Sequence, residues 1–172
     1  MKTKYPWWYL LFLAAGIIMI NTSFSEPYYE DWKYTPVFMA RSDLEQSVSF
    51  QPGARAIENP GKIYYKAPYI YINERYKGVH VINNSDPRNP VNESFIAAPG
   101  CIDMAIKGTI LYIDNAIDFV AFDLSSKQVS KRIKDVFPEP LSPDNEYFRY
   151  RGDREDLVLV GWKKNPNYKG RP

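Results

Sequence analysis

The sequence predicts an all-β fold of two four-stranded antiparallel units behind an N-terminal signal or membrane-anchor segment. Three observations carry this. Short runs rich in Tyr, Ile and Val recur between residues 61 and 133, broken by Pro, Gly, Asn and Asp, which is the pattern of short strands joined by tight turns. The runs return as a set about 40 residues further along the chain. Apolar residues at helical spacing are missing from both sets.

Bulk properties bound the rest. At 172 residues the chain is about one domain long, and its 45% hydrophobic and 16% aromatic content supplies a core. Basic and acidic residues number 22 and 20, and Lys2 and Lys4 belong to the N-terminal segment. The remainder is therefore balanced in charge, which argues against a nucleic-acid partner.

Residues 1–25, "MKTKYPWWYLLFLAAGIIMINTSFS", begin with two lysines, continue through an apolar run from Leu10 to Ile20, and end in small residues. That is the arrangement of an export signal. The run is short for a spanning helix, although Trp7, Trp8 and Tyr9 would let residues 7–20 act as a membrane tether. Residues 26–60 read as an extended lead-in that packs on the domain behind it. Ser42-Asp43-Leu44-Glu45 fits a capping box, so a short helix is expected there.

Residues 61–135 hold the two units. "GVHVINNSD" (78–86) aligns without a gap on "DFVAFDLSS" (118–126), setting Val79 against Phe119, Val81 against Ala121, Asn83 against Asp123 and Ser85 against Ser125. "YIYIN" (69–73) aligns on "ILYID" (110–114), and Gly61 and Gly100 head the two copies. Asn83 and Asp123 are expected to cap the backbone where the third strand of each unit ends. Asp86-Pro87 and Asn89-Pro90 then interrupt the ladder, and the fourth strand restarts at Val91. A four-stranded unit of this period is a propeller-like blade, so the chain is expected to hold two blades of an incomplete propeller. Residues 136–156 form a Pro-rich loop, and residues 157–172 a strand, "DLVLVGW" from 156, with a basic tail.

"GVHVINNSDPRNPV", with "NPGKIYYKAPYIYINERYKGVHVINNSDP" and "PGCIDMAIKGTILYIDNAIDFVAFDL", resembles the repeat of LVIVD-type propeller proteins of the bacterial cell envelope. The likeness covers about residues 35 to 165. It implies a blade fold and an exported location, in the periplasm or outer envelope, and is nearly silent on activity. Those proteins usually carry a lipid-modified cysteine after the signal and run to further blades; neither feature is found in these 172 residues. A closed ring takes at least four blades, about 160 residues. Two open blades would leave apolar faces for the lead-in, for a second copy of the chain in a homo-oligomer, or for further blades of a longer protein.

Candidate chemistry is sparse. His80, the only histidine, alternates with Val79 and Val81 and is expected to be half-buried and paired with a neighbour. Cys101 is the only cysteine and reads as a small buried hydrophobe. Asp114 and Asp118 are the weak candidates for an oxygen-rich calcium site, with turn capping as the alternative. Glu74-Arg75 reads as a solvated ion pair. Tyr147, Phe148, Arg149 and Tyr150 form a candidate interaction surface in the Pro-rich loop. No phosphate loop, nucleophile elbow or carboxylate pair is present, so neither a cofactor nor a catalytic residue is indicated. The expected role is a non-enzymatic binding module for a protein or glycan. An envelope enzyme that needs more blades is the alternative.

Overall fold

β-Branched and aromatic runs become strands, and Gly, Pro and Asx residues end them. The computed structural model describes residues 32–144 and 156–170. The expected signal segment lies outside the described residues. Among the described residues no helix is long and apolar enough to cross a membrane. The elements are β1 (Tyr34–Ala40), α1 (Arg41–Gln46), β2 (Ser49–Pro52), β3 (Pro60–Lys66), β4 (Tyr69–Glu74), β5 (Gly78–Asn83), β6 (Val91–Ala97), β7 (Met104–Lys107), β8 (Ile110–Asn115), β9 (Asp118–Asp123), β10 (Gln128–Ile133) and β11 (Leu157–Lys164). Among the described residues they form three antiparallel sheets in an open array.

The first sheet has the order β2-β6-β5-β4-β3 and the second β10-β9-β8-β7. The two units are therefore the same meander, with β2 added to the outer edge of the first. Their likeness reaches the backbone. The β4–β5 and β8–β9 turns carry left-handed residues at equivalent places, Tyr76 (φ 64°) and Ala116 (φ 57°). The register of β6 shifts opposite Val81/Ile82 and that of β10 opposite Ala121/Phe122, so Glu93 and Ser130 bulge at matching points. The expected Asx caps form: Asn83 accepts the Ser85 amide at 3.0 Å and Asp123 the Ser125 amide at 2.8 Å.

The sheets pack face to face. Tyr71, Val79, Val81 and Ile96 of the first meet Met104, Ile106, Leu111, Ile113, Val120 and Phe122 of the second, all buried. At roughly 25 cal/mol per Å² of buried apolar surface, this junction is the main source of stability. Polar groups seal its hairpin end. Asn73 Nδ2 donates to the carbonyls of Gly78 and Cys101, and the Tyr76 amide donates to the Cys101 carbonyl at 2.7 Å. Cys101 is a free, buried thiol, and burial pushes its pKa well up. Gly100 adopts φ +83°, where an added Cβ would lie 2.6 Å from the Ala116 amide nitrogen.

The lead-in is more ordered than an extended strap. β1 pairs along its whole length with β11, so the late strand and the lead-in form a third, two-stranded sheet. Pairing partners far apart in sequence leave no local signal, so nothing in either segment alone marks this ladder. The expected helix occurs, but it starts earlier than the capping box requires. Its N-cap is Ala40, with no side-chain cap bond, because Arg41 is held in place by tertiary partners. Leu44, Ala116, Val158 and Val160 bury one another where this sheet crosses the hairpin end.

Gly161 is the contact point of that crossing. At φ +157° it lies against Tyr76, and an added Cβ would come 2.8 Å from the Tyr76 Cβ. Gly161→Ala is therefore expected to lower stability by about 2 kcal/mol through overpacking and strain. Urea denaturation of the purified protein measures it, and an unchanged midpoint would remove this contact from the fold's supports.

Candidate functional site

The outer face of the second sheet carries a cleft. Strand pairing places Ala105 beside Tyr112, Tyr112 beside Ala121, and Asp114 beside Phe119 and, through it, Ile133, all on the face turned away from the first sheet. Tyr112 and Phe119 stack with ring centroids 5.7 Å apart and planes 19° apart, making a flat platform. Phe137 tilts onto Phe119 at 6.2 Å. The Val136 and Phe137 amides donate to the Ile117 carbonyl at 2.8 and 2.9 Å, and Trp162 Nε1 donates to the Pro140 carbonyl at 3.1 Å. Residues 137–143 are thereby slung from the β8–β9 turn to the third sheet. The space beneath them is a cleft of about 990 Å³ lined also by Arg75, Tyr76 and Asp103. Prolines at 138, 140 and 143 suit this rim, since each removes a donor that an exposed strap cannot use.

Its polar groups are few and placed. Lys62 Nζ bonds both carboxylate oxygens of Asp103 at 2.6 Å on an exposed rim, an ion pair worth little by itself. Asp114, at the cleft wall, accepts the Ile102 and Asp103 amides at 3.0 and 2.8 Å. Burial raises its pKa, and those amide bonds only partly offset the rise.

Asp118 faces a different task. Its carboxylate is fully buried and accepts Arg41 at 2.9 Å, Arg132 at 2.7 Å and the Asp135 amide at 3.1 Å. Burial alone would raise its pKa; hydrogen bonds from Arg132, the Asp135 amide and Arg41 outweigh that and hold it below the usual range. The two aspartates weighed as calcium ligands thus spend their oxygens on backbone amides and arginines, respectively. Among the described residues no group of three or more His, Cys, Asp or Glu could hold a metal ion.

Glu74 is not the solvated partner of Arg75 that its sequence context suggested. Its side chain is buried, accepts the Glu58 and Asn59 amides at 3.1 and 2.6 Å, and lies 3.2 Å from His80 Nε2. The connection between β2 and β3 folds across that face and excludes water from it, a long-range cover invisible in local sequence. His80 is fully buried, beyond the half-burial expected, and packs edge-on to Phe95 at 4.8 Å. Arg75 instead lines the cleft. Tyr147, Phe148, Arg149 and Tyr150 lie outside the described residues.

Sequence reasoning missed Tyr112, Phe119 and Phe137 as a group. Tyr112 and Phe119 stood in the repeat alignment as strand residues, and their matches in the first unit, Tyr71 and Val79, are core. Only the packing of the two sheets reveals that the second copy's face is open. Searches of protein-family models, curated proteins and solved structures found no match to this chain.

The two aspartates, shifted in opposite directions, should respond unequally to neutralisation. Asp118→Asn leaves Arg41 and Arg132 without their charge partner and is expected to cost about 3 kcal/mol at pH 7. Asp118 has a folded pKa below its unfolded one, so its contribution is full above the unfolded value and fades as pH falls through the folded one. The difference between wild type and Asp118→Asn should therefore shrink below roughly pH 4. Asp114 has the raised folded pKa, so ionisation there opposes folding, and Asp114→Asn should cost less than about 1 kcal/mol. Urea titrations at pH 7 and pH 3.5 read both, and a reversed ranking would reject this assignment of roles.

Proposed function

We propose that the chain is an exported, non-enzymatic, propeller-like binding module of the cell envelope, of the LVIVD-repeat kind, whose cleft holds a partner protein or a glycan. The cleft carries this reading. Pockets of several hundred Å³ that combine flat aromatic surface with a few placed polar groups are the usual form of binding sites. The Tyr112–Phe119 platform offers a ring face to a sugar or an apolar side chain, and Arg75 and Asp103 offer a donor and an acceptor at its rim. The repeat supports the blade assignment, because bulges and left-handed turn residues recur with the sequence pattern. Residues 1–25 support export through their charge and hydropathy pattern alone.

Two measurements test it. The purified protein, presented with an immobilised oligosaccharide panel and with solubilised envelope proteins, should retain a binder, and Tyr112→Ala should weaken that binding about tenfold with circular dichroism unchanged. Equal binding by Tyr112→Ala would move the site away from the cleft, and no retention from either source would reject the reading. Residues 1–30 fused to a reporter enzyme active only outside the cytoplasm should yield activity, whereas a wholly cytoplasmic, inactive fusion would remove export from the proposal.

A further inference from the structure

Among the described residues each unit leaves part of one sheet face uncovered, beside the β2–β3 connection on the first sheet and beneath residues 137–143 on the second, and the repeat states what each face fits. On the first sheet the open face carries Ile63, Tyr65, Ile70, Ile72 and Ile82. Ile63 and Tyr65 are 67% and 62% exposed. The matching residues of the second unit for Ile70, Ile72 and Ile82 are Leu111, Ile113 and Phe122, which fill the junction between the sheets. On the second sheet the open face carries Tyr112, Phe119 and Ala121. Their counterparts are Tyr71, Val79 and Val81, which form the other half of that junction. The two open faces are thus second versions of the two faces already packed together.

We infer that the cleft on the outer face of the second sheet receives the outer face of the first sheet of another copy of this chain, joining copies head to tail. The inference rests on reading the cleft as a binding site and names its partner. It commits to a second copy because the intrachain junction shows this pairing of faces at work, whereas two like faces meet nowhere in the described structure. The edge strands agree. Tyr64 Oη of β3 reaches across the junction to the Ile106 carbonyl at 3.2 Å, and Lys66 reaches the Gly108 carbonyl. Ala105 and Lys107 hold the matching positions on β7: Lys107 repeats the cation, and Ala105 leaves the cleft open where a Tyr64-like ring would fill it. Residues 137–143 rim this face and touch it through Phe137, leaving the cleft open beneath. Because unlike faces meet, the contact is heterologous: it leaves one free face at each end of a pair, and further copies close into a ring or extend.

A complementation experiment separates this arrangement from others. Ala105→Arg blocks the cleft, and Ile63→Arg with Tyr65→Arg blocks the first sheet; all three positions are exposed, so both variants should keep the wild-type circular dichroism. In sedimentation of the full chain, wild type should associate with rising concentration. Each variant alone should associate about 30-fold more weakly or not at all. An equimolar mixture should recover pairs, since the intact first sheet of one meets the intact cleft of the other. A wild type that stays monomeric at all concentrations overturns the inference, as does a variant that pairs alone, which would indicate a two-fold contact. If wild type is monomeric yet Tyr112→Ala still weakens binding of an oligosaccharide or envelope protein, the cleft keeps its binding role and only the second copy is rejected.

Discussion

The junction between the two sheets is the constraint on which the rest depends. Each unit is a sheet with apolar residues on both faces, and a sheet of that kind is soluble only where both faces are covered. The junction covers one face of each. Two non-repeated segments attend to the remaining faces. The connection between β2 and β3 covers part of the outer face of the first sheet through Glu74 and Phe95, and residues 137–143 rim the outer face of the second. The cleft follows from that incomplete cover.

The buried polar residues cluster near the hairpin ends for a related reason. Asn73, Glu74, Asp114, Asn115 and Asp118 all lie where β4 or β8 turns into the next strand. Sheet hydrogen bonding stops there, so backbone donors need other acceptors, and buried carboxylates and amides supply them. The repeat keeps these positions polar but changes the residue, Asn73-Glu74 in one unit and Asp114-Asn115 in the other. One member of each pair then holds a different attachment. Glu74 fastens the connection between β2 and β3, and Asn115, with Asp118 beyond the turn, anchors α1 and Arg132. The divergence of the copies is what lets one repeated scaffold hold two unlike attachments.

Much of the meander was legible in advance. The strand limits around Asn83, Val91 and Asp123, the short helix near Ser42 and the burial of Cys101 all follow from residue type and spacing. Those are local matters: a left-handed turn, an Asx cap and an apolar run act on their immediate neighbours. The candidate site was not legible, because its aromatic residues carry the same pattern as core residues in the other copy.

The sequence by itself determined the two four-stranded meanders and where their turns fall, since hairpin pairing is enforced by contacts only a few residues apart. Only the tertiary structure decided that β1 joins β11, that β2 extends the first sheet, that Glu74 is buried against His80, and that Tyr112 and Phe119 face an open cleft. Those outcomes depend on which apolar face finds cover from distant chain. Burial free energy is non-directional and carries no record of its partner in the local sequence.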